Sequence, residues 1–161
     1  MVATPIAAPV EYINAGSSKV YVLFALAVVG SPTRSELNAG TDVTRALAES
    51  AGWKVESDQV DAPNMDDVFT PTISGRTKVA DSSLTLYCDI TGADIRALLP
   101  RGTNCWVVWL DGGDVSGRKC SIFPSRVSSL GMVREVKGDN PATIEVAFAI
   151  TATPQENVTI P

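Results

Sequence analysis

The sequence predicts a mostly antiparallel β domain, of sandwich or barrel type, with one short helix. Three observations predict it. Apolar residues alternate with polar or small ones through "SLTLYCDI", "NCWVVWLD" and "ATIEVAFAITA". Glycine, proline, asparagine and aspartate punctuate the chain between such runs. Only "TGADIRALLPRG" changes to helical spacing. With 161 residues, 45% of them hydrophobic and 19% charged, the chain is long and apolar enough for one core of its own.

The elements follow in order. Residues 1–18, "MVATPIAAPVEYINAGSS", carry prolines and no period, which predicts an extended N-terminal arm. Residues 20–29, "VYVLFALAVV", are apolar on both faces and read as a central strand. That run is too short for a bilayer, which needs about 20 residues, so no membrane insertion is expected. "TRSEL" predicts one helical turn inside the loop "GSPTRSELNAGTD". "VTRALAESAGWKVESDQV" predicts a hairpin with a bent first strand, punctuated by Gly52. "ISGRTKVA" and "SLTLYCDI" predict a second hairpin about "DS", with Leu84, Leu86, Cys88 and Ile90 facing inward.

In the helical stretch Ile95, Leu98 and Leu99 share one face, Thr91 with Asp94 forms an N-cap pair, and Pro100 with Gly102 ends the helix. The next strand puts Trp106, Val108 and Leu110 on one side and Cys105, Val107 and Trp109 on the other. Residues 118–136 predict a long bent strand, because Pro124 and Gly131 interrupt an ideal ladder. Ile144, Val146, Phe148 and Ile150 then alternate with Thr143, Glu145, Ala147 and Ala149. Residues 19–152 therefore form the β domain, and 153–161 an extended C-terminal tail. Both ends are apolar for free termini and are expected to gain order on a neighbouring copy.

Composition excludes much chemistry. The chain has no histidine, which removes Ser-His-Asp and Cys-His machinery, His-ligated zinc and the usual base near neutral pH. Cys88, Cys105 and Cys120 form no C-x-x-C pair and read as small buried hydrophobes. The net charge is −5, and its excess lies in residues 55–75, where Glu56, Asp58, Asp61, Asp66 and Asp67 meet no base. No basic stripe suggests nucleic-acid binding. No catalytic, metal or cofactor site is expected.

Two stretches imitate chemistry. "DGGDVSGRK" lacks the lysine-serine ending and following helix of a phosphate loop, and it lacks the acid spacing of a calcium loop. A hydrolase built on Asp111 and Asp114 would need one carboxyl desolvated, and nothing near them in sequence promises that. Gly112 and Gly113 suit a tight reversal, so the loop reads as a bend. The acidic segment reads as a solvated loop, a weak cation site at Asp61, Asp66 and Asp67, or a surface that meets another subunit or an aqueous channel.

Taken in order, "SPTRSELNAGTDVT", "PTISGRTKVADSSLTLY", "DIRALLPRGTNCWVVWLDGGDVSGRK", "FPSRVSSLG" and "FAITATPQENVTIP" resemble the major tail (tail tube) proteins of long-tailed bacteriophages, especially those of actinobacteria. The resemblance runs from about residue 19 to the end. "SPTRSELNAGTD" and "LLPRGT" with "GGDVSG" carry the most weight. Cys88, Cys105, Trp106 and Trp109 are departures from what the resemblance leads one to expect.

The resemblance implies a β-sandwich subunit that closes into hexameric β-barrel rings, stacked as the hollow tail tube through which the genome leaves. Loops and arms would bridge successive rings. It implies identical copies, a tape-measure protein and terminator or initiator proteins as partners. Assembly in the host cytoplasm and a non-contractile tail are further implications. An acidic bore would pass DNA without specific binding. Within that frame Lys54, Glu56 and Asp58 are expected to face the lumen, and Asp61, Asp66 and Asp67 to make inter-ring contacts. The alternative is a monomeric β-sandwich adhesion or decoration module of a virion.

Overall fold

A computed structural model describes residue 3, residues 5–134 and residues 136–161. Residues 1, 2 and 4 of the expected arm, and Glu135 of the expected long strand, lie outside the described residues. In chain order the elements are β1 (Lys19–Leu23), α1 (Arg34–Ala39), β2 (Thr41–Asp42), a 3-10 turn (Thr44–Ala46), β3 (Leu47–Ala51), β4 (Val55–Asp61), β5 (Thr72–Val79), β6 (Ser82–Tyr87), α2 (Ile95–Leu98), β7 (Asn104–Leu110), β8 (Lys119–Val133), β9 (Thr143–Ile150) and β10 (Gln155–Thr159).

An eight-stranded antiparallel sheet runs β2-β1-β7-β8-β9-β6-β3, with β10 paired to β8 off this path. β8 is the common member. Residues 121–126 pair with β7, 119–122 with β10, and 125–133 with β9. The sheet bends along this strand, with a register shift between Val127 and Ser129, and so forms two leaves. The outer leaf is β2-β1-β7-β8-β10 and the inner leaf is β8-β9-β6-β3. Their facing sides share one core: Val20, Val22, Cys105 and Val107 meet Leu84, Leu86, Ile144, Val146 and Phe148, and α2 adds Ile95 and Leu99. A second cluster lies on the far side of the outer leaf, where Tyr21, Leu23, Val108, Leu110 and Ile122 pack against Leu37 of α1 and Val158 and Ile160 near the C-terminus. Each fully buried aliphatic side chain contributes about 1.5–3 kcal/mol.

The strand faces of β7 and β9 match the alternation read from sequence. Several other expectations change. The first strand ends at Leu23, and Phe24 and Val28 are exposed. Its apolar continuation turns instead toward α1, where the Ala27 N–H donates to Glu36 Oε1 at 2.7 Å. α1 is longer than the expected turn and begins with a capping box between Thr33 and Glu36. β5 and β6 do not form a hairpin together. β5 pairs with β4 in a separate ribbon, and β6 pairs with β3 and β9. β3 and β4 are likewise consecutive but not partners. Local sequence marks strands well, but partner choice depends on distant residues.

Inward alternation in β6 stops at Leu86. Cys88 is half-buried and Ile90 fully exposed, because the chain leaves the leaf to enter α2. The N-cap of α2 is Asp94 alone, with Thr91 turned to Asp89. The C-terminal segment, expected to be a tail waiting for a neighbour, pairs with its own β8 and buries Val158 and Ile160. Asn157, at φ 60, provides the irregular step between Gln155 and Val158 that makes this possible.

The passage from β3 to β4 is the most constrained turn. Gly52 (φ 78) and Trp53 (φ 60) are both left-handed, a conformation unfavourable for a bulky residue such as tryptophan. A Cβ on Gly52 would lie 2.2 Å from the Asp81 carbonyl oxygen. The strain is offset by what Trp53 reaches. Its ring centroid lies 5.3 Å from Phe123, 5.3 Å from Phe148 and 5.9 Å from Trp109. Its Nε1–H donates to the Ser83 carbonyl at 3.0 Å, and its backbone N–H to Ser82 Oγ at 3.2 Å. The indole ties the two leaves together where the β4–β5 ribbon departs.

Two predictions follow from this packing. Trp53→Ala should lower stability by about 3 kcal/mol in urea denaturation, while Trp53→Phe, which keeps a ring but loses the indole bond, should cost about half as much. Asp94 sits against Arg96, whose guanidinium holds its carboxyl down at about 2. The capping contribution is therefore complete above the ordinary carboxylate value of about 3.9 and is lost as pH falls through the folded value. An NMR titration should place Asp94 near that value, and Arg96→Gln should return it toward the ordinary range.

Candidate functional site

The acidic segment becomes a structure of its own. β4 and β5 form a two-stranded ribbon outside the main sheet, with Val55 opposite Val79, Glu56 opposite Lys78, and Asp61 opposite Thr72. Because β4 continues β3 and β5 continues β6, the ribbon prolongs the β3–β6 pair beyond the Gly52–Trp53 kink. Alternation along β4 puts Glu56, Asp58 and Val60 on one face and Ser57, Gln59 and Asp61 on the other.

The six residues singled out from sequence therefore do not form one group. Lys54 precedes β4, and its carbonyl accepts from Ala80 N–H at 3.0 Å. Glu56 and Asp58 share a face and meet Lys78, whose Nζ lies 3.0 Å from Asp58 Oδ1. Asp58 raises the Lys78 ammonium above its ordinary value through their hydrogen bond and its charge. Both partners are well exposed, so salt screens the pair. Asp61 closes the ribbon on the opposite face. Asp66 and Asp67 lie in the connecting loop, where their backbone N–H groups donate to Asn64 Oδ1 at 3.0 and 2.9 Å. Among the described residues no group of three His, Cys, Asp or Glu side chains is placed to hold a metal ion.

Sequence reading missed two features here. Arg76 and Lys78 lie just past the acidic window, and strand pairing folds them back on it, so the ribbon is less acidic than residues 55–75 suggest. The apolar tip was also missed. Met65, Val68 and Phe69 in the loop are 103%, 107% and 76% exposed, and the neighbouring cross-strand pair Val60 and Ile73 is exposed as well. Its signal is in "NMDDVFTPTI", where Asp66 and Asp67 stand between Met65 and the Val68–Phe69 pair.

The glycine loop joins β7 to β8 and is a bend, as read from sequence. Gly112, Gly113 and Gly117 all have positive φ, and a Cβ on Gly113 would come within 2.8 Å of the Ser17 carbonyl oxygen. Asp114 is held on both oxygens. Arg34 Nη1 lies 2.6 Å from Oδ1, and the Tyr21 hydroxyl donates to Oδ2 at 3.1 Å. Arg34 also donates to the Pro161 carbonyl from Nη2 at 2.7 Å, so one guanidinium ties α1, this loop and the C-terminal segment together. Burial raises the Tyr21 phenol, with the Asp114 bond adding to it.

Asp111 differs from the sequence expectation, since burial does push its carboxyl up. Asp114, the other half of the supposed acid-base pair, is engaged in structural bonds. Burial also pushes the Cys105 and Cys120 thiols up to about 12 and about 11, which removes them as nucleophiles near neutral pH.

Asp114→Ala should cost about 1–2 kcal/mol in urea denaturation, an allowance reduced for the partial exposure of Arg34. Asp111→Asn, which removes a desolvated carboxylate, should leave stability unchanged or slightly higher.

Comparison with known proteins bears on the fold and the family. No curated protein sequence matches the chain. Among solved structures, it superposes on a chain of the sheath–tube complex of an extracellular contractile injection system in its extended state, with TM-score 0.56, 10% identity, and 94% of each chain covered. It superposes on a chain of the anti-feeding prophage baseplate with TM-score 0.51 and 13% identity, covering 96% of each. A chain of the virion of a native gene transfer agent particle gives TM-score 0.50 and 12% identity, over 85% of this chain and 94% of that one. At these identities the likeness establishes a shared fold. The family model described as phage tail tube protein matches residues 6–161. The chain thus belongs to the phage tail tube protein family, a structural component of the virion.

Proposed function

We propose that this chain assembles with identical copies into hexameric rings, and that the rings stack into a hollow, non-contractile tail tube that conducts DNA. The observation that carries this reading is the β4–β5 ribbon with its bare apolar tip. A two-stranded ribbon is marginally stable alone in water. Here it stands apart from the main sheet, and Met65, Val68 and Phe69 at its end are exposed. Apolar groups so placed gain from burial, and a neighbouring copy supplies that burial at every ring-to-ring junction.

In this arrangement Lys54, Glu56 and Asp58 line the lumen beside Lys78, and Asp61, Asp66 and Asp67 surround the apolar tip at inter-ring contacts. Their charge orients the tip and keeps the free subunit soluble. DNA passes without specific binding, since the chain's excess of acids opposes the phosphate contacts that supply most non-specific affinity. The N-terminal arm, with Ile6 and Val10 almost wholly exposed, docks on another subunit in the same way. Tape-measure and terminator or initiator proteins set tube length and its ends, with assembly in the host cytoplasm. The subunit performs no catalysis.

Electron microscopy of the purified protein tests this. Six-fold rings or tubes are the expected result, and isolated globules at every concentration would overturn it in favour of a monomeric virion module. Val68→Asp with Phe69→Asp should leave the fold intact by circular dichroism while reducing tube length at least about tenfold, because each junction would bury charge.

A further inference from the structure

We infer that the buried hydroxyl of Ser82 aims the β4–β5 ribbon, which makes Ser82 a positioning residue for assembly. The consequence for assembly rests on the tube reading above and deepens it. The aiming itself is a property of the single chain.

Strand pairing stops and restarts where the ribbon leaves the main sheet. The last β3–β6 pair is Ala51 with Ser83, and the first β4–β5 pair is Val55 with Val79. Gly52 and Trp53 are left-handed between them, which takes the Trp53 N–H out of both ladders. It donates instead to Ser82 Oγ at 3.2 Å. The same hydroxyl donates its hydrogen to the Ala80 carbonyl at 2.9 Å. A carbonyl cannot donate and an amide N–H cannot accept, so both roles of the hydroxyl are fixed. One side chain thus ties the strand that enters the ribbon to the strand that leaves it. The Ala80 N–H, donating to the Lys54 carbonyl at 3.0 Å, makes the next rung.

Ser82 is placed to do this without water. It is 3% exposed and lies opposite Phe148 of β9. Phe148 is also one of the rings on which the Trp53 indole packs, at 5.3 Å. Residue 53 is therefore held twice from one row of the core, its backbone by Ser82 and its ring by Phe148. Beside it, Gly52 lies so close to the Asp81 carbonyl that the two crossing strands have no slack.

The ribbon does not lean on the body. Among the described residues β4 and β5 pair only with each other. A cleft of about 400 Å³ lies between Val55, Lys78 and Val79 on the ribbon side and Ile150, Thr151 and Pro154 on the other. The direction of the ribbon is therefore decided at the crossing. Without the Ser82 hydroxyl, the Trp53 N–H and the Ala80 carbonyl lose their shared partner, and rotation toward the cleft restores them to water. The ribbon would then sample a range of directions. A tip already aimed meets its neighbour without the cost of ordering the ribbon at each junction.

Spin-label distances on the free subunit test the aim. In a Cys88→Ser background, where Cys105 and Cys120 are buried, Thr72→Cys on the ribbon and Ser129→Cys on β8 carry the labels. The chain with Ser82 should give one narrow distance. Ser82→Ala should widen it at least about twofold while circular dichroism stays native, and Ser82→Thr, which keeps the hydroxyl, should restore it. An unchanged width in Ser82→Ala would overturn the inference whether or not tubes form. Hydrogen exchange on the wild-type chain needs no variant to fold. The Trp53 amide should exchange at least about tenfold more slowly than those of Val68 and Phe69, and equal rates would overturn the inference as well. In electron microscopy Ser82→Ala should shorten tubes at least about tenfold, and Ser82→Thr should not. Full-length tubes from a chain with widened distances would overturn the role in assembly. A wild-type chain that forms neither rings nor tubes would overturn the tube reading, and the spin labels would still decide the aim.

Discussion

The strained tryptophan at position 53 is the constraint on which much of this architecture turns. An indole in the left-handed region is unfavourable, and it persists because Phe123 of β8, Phe148 of β9 and Trp109 of β7 surround the ring. Those contacts fasten the two leaves of the folded sheet at one end. They also settle the angle at which β4 leaves β3, so a packing interaction in the core sets the direction of an exposed ribbon. Gly52 is needed beside it because the Asp81 backbone leaves no room for a side chain.

β8 supplies the second half of the logic. A single long strand serving both leaves must bend, and beyond the bend it loses its partner on the β7 side. The outer leaf finishes itself with the brief β2 at one border and β10 at the other. Among the described residues, the inner leaf ends in two bare edges. A sheet satisfied at one end and unsatisfied at the other is poorly suited to life as a free monomer and well suited to a subunit that completes itself on its neighbours.

Electrostatics follow from pairing more than from sequence windows. The acidic run looked uniform until β5 returned Lys78 beside Asp58 and opposite Glu56. Conversely, Glu49 and Glu145, separated by most of the chain, fall on a single row with Thr85 between them. Asp114 looked like half of a catalytic pair and is a clasp between α1, β1 and the C-terminal segment through Arg34 and Tyr21. Carboxylates acquire meaning here from the groups the fold brings to them.

What the sequence determined alone is local. Alternation along β7 and β9 chose their buried faces, because a strand has only two sides and water selects between them. Thr33 with Glu36 started a helix, glycines made the bend after β7, and the missing histidine excluded whole classes of chemistry. The ordered segments also carried the family resemblance. Tertiary structure alone decided which strands pair, that Ile90 faces solvent, that the C-terminal segment closes on its own sheet, and which edges stay open. The physical reason is that a backbone hydrogen bond between strands is almost independent of side-chain identity. Partner choice is therefore settled by the shape of the whole packed core, which no short stretch of residues contains.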